Sequence, residues 1–574
     1  MLIFPGCQSS RLVSGGGGTA VEPAAGQNPT GSESTGSTGG TGGGSGGTGS
    51  TGGGGLPESF AQIRPRATVR DELNVVFSSG NVQLDLRRSY MASEAQLFTA
   101  IYEGLFSYHP RTMAPVPALA QSWTLSEDRT QWTFIIRENA RFSNGDPIRA
   151  QDFRDSWLSY LSPDRASPFS SLFDIIEGAR DFRTGEQTDP ASVGVVAQDD
   201  RTLIVRLNSP AEFFPAMLCH HSFAPMHHSM LGRDENWSPE PGQSDWTPPI
   251  TNGAFRISSM NDERLVLLRN EYYWLAQHIA LRQINIIFAE TGQDAANLWN
   301  SGQAQWIAGN VSLAALTDRS GILVNPMFAT HFYFIRSDEA PWDDYRVRRA
   351  LILALPWEEL RRGHFLPATT LVFPISGYPE VEGVHITDLD TARQLMQEAG
   401  FSNGQGLPEL VIRITPSQES ARISGIMAYA WEQLGVPVRI EVIPFYRYLQ
   451  SLLEDGYGVG LTTWVGNFLD PYTFLKIWRR DSNLNAARLD DSDFEALMER
   501  SMFEEGSERL ATLAEAEALL LYRGTVLPIS HSPAVNVVDL TELAGWYPNA
   551  LNIFPFRYIS FRAFLPLPGV VMAR

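Results

Sequence analysis

The amino-acid sequence predicts an α/β protein of two or three domains, on three observations. Strand-like and helix-like hydrophobic patterns alternate through much of the chain. They follow no internal repeat. The 574 residues, even without a start that has little to bury, are too many for one compact core.

The folded region begins near Glu72. Leu73-Asn74-Val75-Val76-Phe77 reads as a strand, and Glu94 to Gly104 as a helix with Ala95, Phe98, Ile101 and Tyr102 on one face. From Trp132 to Trp157 the pattern is strand, turn and helix. Trp132, Phe134 and Ile136 alternate with Thr133, Ile135 and Arg137. Ser143-Asn144-Gly145-Asp146-Pro147 supplies the turn, and Phe153, Trp157 and Leu158 share one helical stripe. Thr202 to Leu207 and Leu265 to Leu268 read as strands, Asp294 to Trp299 and Val347 to Leu355 as helices. Ile423 to Leu434 is a helix stopped by Gly435 and Pro437, and Val438 to Val442 is the strand that follows.

Composition excludes several classes. A formal net charge of −20 leaves no basic face to neutralise phosphates, so nucleic acid is not a partner. Such a surface keeps a protein soluble and monomeric. Hydrophobic residues make up 43% of the chain, yet no apolar run is long enough to span a bilayer. Lys476 is the single lysine, and no GxxxxGK occurs. Cys7 and Cys219 form neither a CxxC nor a disulfide framework. Ser14 to Gly55 is mostly Gly, Ser and Thr with a little Pro and cannot repay the entropy of ordering. A flexible coil of about 40 residues spans roughly 35 Å. Gly43-Gly44-Ser45-Gly46-Gly47 satisfies GxSxG, but no strand or helix surrounds it, so it is not a nucleophile elbow.

The Trp132–Trp157 stretch, WTFIIRENARFSNGDPIRAQDFRDSW, closely resembles the signature of the family five solute-binding proteins. These are the oligopeptide-, dipeptide- and nickel-binding periplasmic proteins that feed ABC importers. Further matches follow in order between Leu73 and Ile559. Glu103-Gly104-Leu105 resembles the family's EGL, Ala166-Ser167-Pro168-Phe169 its ASPY, and Thr251-Asn252-Gly253-Ala254-Phe255 its TNGAY. Arg269-Asn270 through Trp274 resembles RNPxYW, Arg346 to Leu351 RVRxAL, and Ala399-Gly400-Phe401 AGF. Their collinearity is the strong signal.

The resemblance implies a periplasmic-binding-protein-like, two-lobed flytrap with an additional inserted domain. A discontinuous first lobe is expected from 72–102, 228–334 and 531–574, the inserted domain from 103–227 and the opposing lobe from 335–530. Residues 8–71 are expected to be a disordered tether behind a truncated signal segment, 1–7. Phe4-Pro5-Gly6-Cys7 resembles a lipobox whose cysteine becomes diacylated, although Phe4 stands where Leu is usual and Pro5 is atypical. Only Met1 to Phe4 precede it, so the true start is expected further upstream. The implied function is capture of a peptide-like solute between two lobes and delivery to an ABC permease and its ATPase. The expected protein is a monomeric, membrane-tethered, extracytoplasmic one with no cofactor, no metal and no catalysis.

Peptide binders of this family hold their ligand between two extended segments, which correspond here to Tyr90-Met91-Ala92 and Thr463-Trp464-Val465. Phe169 falls where many members have Tyr, leaving an aromatic wall without its hydroxyl. Trp464 to Pro471 resembles W-x-x-D-Y-x-D-P, whose first Asp pairs with the peptide α-amino group. Here that position is Asn467, which accepts a hydrogen bond but neutralises no charge. Basic residues used by enterobacterial members for the carboxyl end are replaced by Leu452 and Leu461. Asp470 survives beside Pro471, where it serves either the ligand or the start of a helix over Tyr472 to Trp478. Trp464 serves either the pocket or the core. His220, His221, His227 and His228 invite a metal, but adjacent histidines on a strand point to opposite faces, which favours a structural role. Oligosaccharide capture is the alternative within the binding class. An exported hydrolase is the distant one, lacking a nucleophile motif, HExxH and a carboxylate pair.

Overall fold

The computed structural model describes residues 70–562, apart from 79–81, 90, 166, 234–236, 240–245, 483 and the side chains of 445 and 446. Cys7, the Gly/Ser/Thr segment and Tyr90 lie outside the described residues.

One ten-stranded sheet runs through the body. From one edge its order is Val438–Val442, Leu410–Ile414, Val459–Val465, Ile322–Ile335, Val526–Val538, Trp306–Ile307, Glu72–Phe77, Gln283–Phe288, Arg264–Arg269 and Phe255–Met260. Glu72–Phe77 sits between two parallel neighbours, Gln283–Phe288 and Trp306–Ile307, and Leu73, Val75 and Val76 are fully buried. Side chains alternate across a strand, so burial of adjacent residues here means both faces are covered. The two longest strands, Ile322–Ile335 and Val526–Val538, are antiparallel and carry the chain between the halves of the sheet. Their register breaks between Pro326 and Thr330, where Pro326 lies opposite Pro533. Neither proline can donate to the ladder, so its hydrogen bonding is interrupted at this crossing.

A second sheet is four-stranded and antiparallel, in the order Ala120–Leu125, Gln131–Ile136, Thr202–Arg206, Val195–Ala197. The alternation read at Trp132 holds: Trp132, Phe134 and Ile136 are buried, while Thr133 and Ile135 are half-buried. The helix Ala150–Leu161 packs Phe153 and Trp157 inward with no exposure, and the Trp157 indole donates to the Phe223 carbonyl at 3.0 Å.

This four-stranded unit leans on the part of the chain near 470–509. Phe213 stacks on Phe468 (5.7 Å between centroids) and Tyr472 (5.0 Å), and the Arg509 guanidinium covers its ring at 4.6 Å. Arg180 pairs with Asp481 at 3.1 Å, and Arg129 pairs with Glu505.

The helices expected over Val347 to Leu355 and Ile423 to Leu434 end two residues early, at Leu353 and Glu432, and two other elements depart further. The first helix spans Ala92–Ile101 and stops at Tyr102, which is extended, so Glu103 and Gly104 leave it. A side chain at Gly104 would stand 2.9 Å from the Leu218 carbonyl, a close approach that only glycine permits. The helix expected over Tyr472 to Trp478 is one α turn, Tyr472–Leu475, followed by a 3₁₀ turn.

Candidate ligand cavity

A cavity of about 720 Å³, its mouth included, lies where three distant parts of the chain converge. One wall is the helix end Ala95–Tyr102 with Glu103 and Gly104. The second is Cys219–His221 with Ala224. The third is Val465-Gly466-Asn467, and Leu551, Ile553 and Arg557 close the floor. Gly466 is required by packing: a Cβ there would meet the Phe328 ring at 2.3 Å, and its amide donates to the Phe328 carbonyl at 2.8 Å. The space within it that a water-sized group can occupy is about 40 Å³, so a ligand enters only when the walls part.

The polar lining divides into groups that are satisfied and groups that are not. Glu103 accepts from the Tyr273 hydroxyl (2.7 Å) and the Trp274 indole (2.6 Å) and is paired with Arg557. Its charge is therefore neutralised inside the protein. Three other groups are buried with no hydrogen-bond partner: the Tyr102 hydroxyl, His220 Nε2 and Arg557 Nε. His221 Nε2 is buried and unpartnered too. His220 Nδ1 accepts from the Ser222 amide at 3.4 Å and faces the Ser222 hydroxyl at 2.9 Å, which leaves the imidazole proton on Nε2. Each buried group left in this state costs about 1–3 kcal/mol. A ligand that brings acceptors recovers that cost.

Burial sets the protonation states. It lowers His220 well below the ordinary histidine range and takes His221 down to about 3, so both rings are neutral at physiological pH. Burial, then the Asp85 carboxylate, holds the Tyr102 phenol far above its usual value, and burial does the same to the Cys219 thiol. The cavity has no net charge on its described lining.

Of the residues nominated from sequence, Val465 and Asn467 line the cavity. The Asn467 backbone amide donates to the Thr473 hydroxyl oxygen at 3.0 Å. Phe169 stands behind the wall, edge-on to His220 at 4.9 Å. Trp464 is 2% exposed, and its indole donates to the Thr473 carbonyl, a core position. Thr463 bonds His331 at 3.1 Å. Met91 caps the first helix, its amide bonded to Glu94 and its carbonyl to the Ala95 amide, and Ala92 is already helical. Both carboxylate oxygens of Asp470 are taken by Arg509 at 2.8 Å, and one also receives the Tyr472 amide.

The histidines differ from the sequence argument in one respect. His220 and His221 lie at the entry to a 3₁₀ turn, not on a strand, so their rings are 4.1 Å apart instead of on opposite faces. His227 bonds Asp146 at 2.9 Å. Among the described residues no group of three or more His, Cys, Asp or Glu side chains is arranged to hold a metal.

A family model described as bacterial extracellular solute-binding proteins, family 5 middle, matches residues 114–486. The chain belongs to that family. It is 26% identical over 436 residues to the oligopeptide-binding protein OppA of Bacillus subtilis, covering 72% of this chain and 79% of that one. It is 27% identical over 500 residues to the periplasmic oligopeptide-binding protein OppA of Salmonella typhimurium, covering 82% and 89%. Among solved structures, the periplasmic oligopeptide-binding protein OppAIV of Borrelia burgdorferi superposes with a TM-score of 0.72 at 24% identity, over 86% of this chain and 100% of that one. The fold is thus the two-lobed one of the periplasmic binding proteins.

For this family 5 protein the sequence reading passed over Tyr102, Glu103 and Arg557. Glu103 was visible as the first residue of EGL, but its partner lies 454 positions away. Tyr102 reads as one more apolar-face residue of a helix, since its orphaned hydroxyl depends on what faces it.

Proposed function

We propose that this protein captures a peptide-like solute in the cavity beside Val465-Gly466-Asn467 and hands it, unaltered, to an ABC-type permease and ATPase. The observation that carries the reading is the strand edge at that wall. Val459–Val465 pairs along one edge with Ile322–Ile335, but on the other it meets Leu410–Ile414 only at Val459. Among the described residues no strand pairs there beyond Val459; the Tyr448 hydroxyl bonds both the amide and the carbonyl of Leu461, so an added peptide strand would pair along Thr462 to Trp464. Backbone pairing demands little of side chains, so the sequence preference is expected to be loose. The two relatives described above, both oligopeptide-binding proteins, support the ligand class.

The protein works as a monomer outside the cytoplasm, held by a lipid on Cys7 and a tether over 8–71. Labelling with a lipid precursor tests the anchor: loss of label in Cys7→Ala supports it, and equal label refutes it. Mass spectrometry of material released by denaturing gently purified protein tests the ligand class. Released peptides support the proposal. A released sugar would replace it with oligosaccharide capture, and chemical conversion of the bound solute would replace it with catalysis.

A further inference from the structure

Resting on the peptide-capture reading, we infer that the peptide end lodged in this cavity is a blocked amino end, an acylated amine, and not a free ammonium. Charge comes first. Glu103, the one carboxylate on the described lining, is consumed by Arg557, Tyr273 and Trp274. Position 467 offers an amide. An ammonium enclosed here would have no counter-ion, and a buried charge without one is strongly disfavoured. The same neutrality disfavours a carboxylate, since Arg557 is already matched by Glu103.

Hydrogen bonding then selects among neutral groups. The unpartnered buried groups with assigned protons are donors, His220 Nε2 and Arg557 Nε, and the Tyr102 hydroxyl can donate as well. They require acceptors, which a carbonyl supplies and an ammonium does not. Tyr102 and His221 both pack on the Phe98 ring, at 5.7 and 4.9 Å, and His221 adjoins His220, so these three polar side chains are neighbours. Ala95, Ala254, Leu551 and Ile553 complete an apolar wall suited to an acyl group's hydrocarbon.

Isothermal titration of the ligand-stripped full chain with alanyl-phenylalanyl-alanine and its N-acetyl form tests this. The acetylated peptide should bind at least about tenfold more tightly, as expected when an ammonium must be desolvated without a partner. The Tyr102→Phe variant removes a hydroxyl that bonds nothing within the protein and so keeps the fold, with an unchanged melting temperature as the check. It should weaken the acetylated peptide by about fivefold and leave the free one unaffected, the scale of one hydrogen bond. Equal affinities, or tighter binding of the free amine, overturn the inference while leaving peptide capture intact. Loss of affinity on C-terminal amidation would also overturn it, by placing a carboxylate in the cavity. No binding of either peptide overturns peptide capture itself.

Discussion

Arg509→Met should release the contact between the four-stranded unit and the segment that follows Trp464. The Arg509 side chain is 2% exposed; it gives Asp470 two bonds of 2.8 Å and covers the Phe213 ring at 4.6 Å. Burial opposes its charge, but the Asp470 carboxylate outweighs that and raises its pKa. Methionine keeps the stem's volume and removes the charge, leaving a mostly buried Asp470 uncompensated. Breaking such a pair costs about 3–5 kcal/mol, and the lost cation–π contact about 0.5–2 kcal/mol. Because Asp470 retains some contact with water, about 4 kcal/mol is the expected total. A folded body of about 490 residues unfolds with an entropy near 1 kcal/mol per degree, so the melting temperature should fall by about 4 °C. The single Asp470→Asn should cost less, since Glu212 stands 3.9 Å from Arg509 as a second anion. Removing both charges in Arg509→Met/Asp470→Asn should recover at least about 1 kcal/mol relative to the sum of the singles. Calorimetry on the four proteins decides. Strict additivity, or a shift under 1 °C for Arg509→Met, would sink the argument.

Two further predictions concern titration. Glu517 is fully buried; burial pushes its carboxyl up to about 7 against bonds from the Val372 and Leu371 amides and the Tyr378 hydroxyl. The folded state therefore binds this proton more tightly than the unfolded chain does. Its contribution is complete below the ordinary value of 4.5 and is lost as pH rises to about 7, a change of about 3 kcal/mol. Glu517→Gln should flatten the decline in melting temperature across that window, and an unchanged slope would refute the assignment. Lys476 is brought down to about 7 by burial and lines a crevice with Asp174, Arg180 and Arg479. Much of it is a neutral amine at pH 7.5, so an acylating reagent should modify it whenever the crevice opens, and saturating peptide should slow the reaction. An unchanged rate would mean that ligand does not hold this contact shut.

Local pattern alone determined a good deal of this protein. The period-two run at Trp132 and the stripe through Phe153 and Trp157 name their elements because burying one face needs only the right spacing. The end of the helix Gln418–Glu432 was legible to within two residues, since Gly435 just beyond it takes φ +83, a conformation glycine adopts without cost. The order of the family words, from Glu103 to Phe401, pointed to solute capture before any contact was known. What the tertiary structure alone decided is which polar groups are spent. Nothing near Asp470 in sequence announces Arg509, and nothing near Glu103 announces Arg557. Trp464 and Thr463 belong to the words of a ligand segment, yet their polar atoms bond Thr473 and His331. His220 looked structural because strand geometry was assumed for it, whereas a 3₁₀ turn brings it to the cavity with one nitrogen unpartnered. Hydrogen-bond satisfaction and charge pairing depend on neighbours hundreds of residues away, and in a chain that crosses between its halves on two long strands those neighbours are set by the fold.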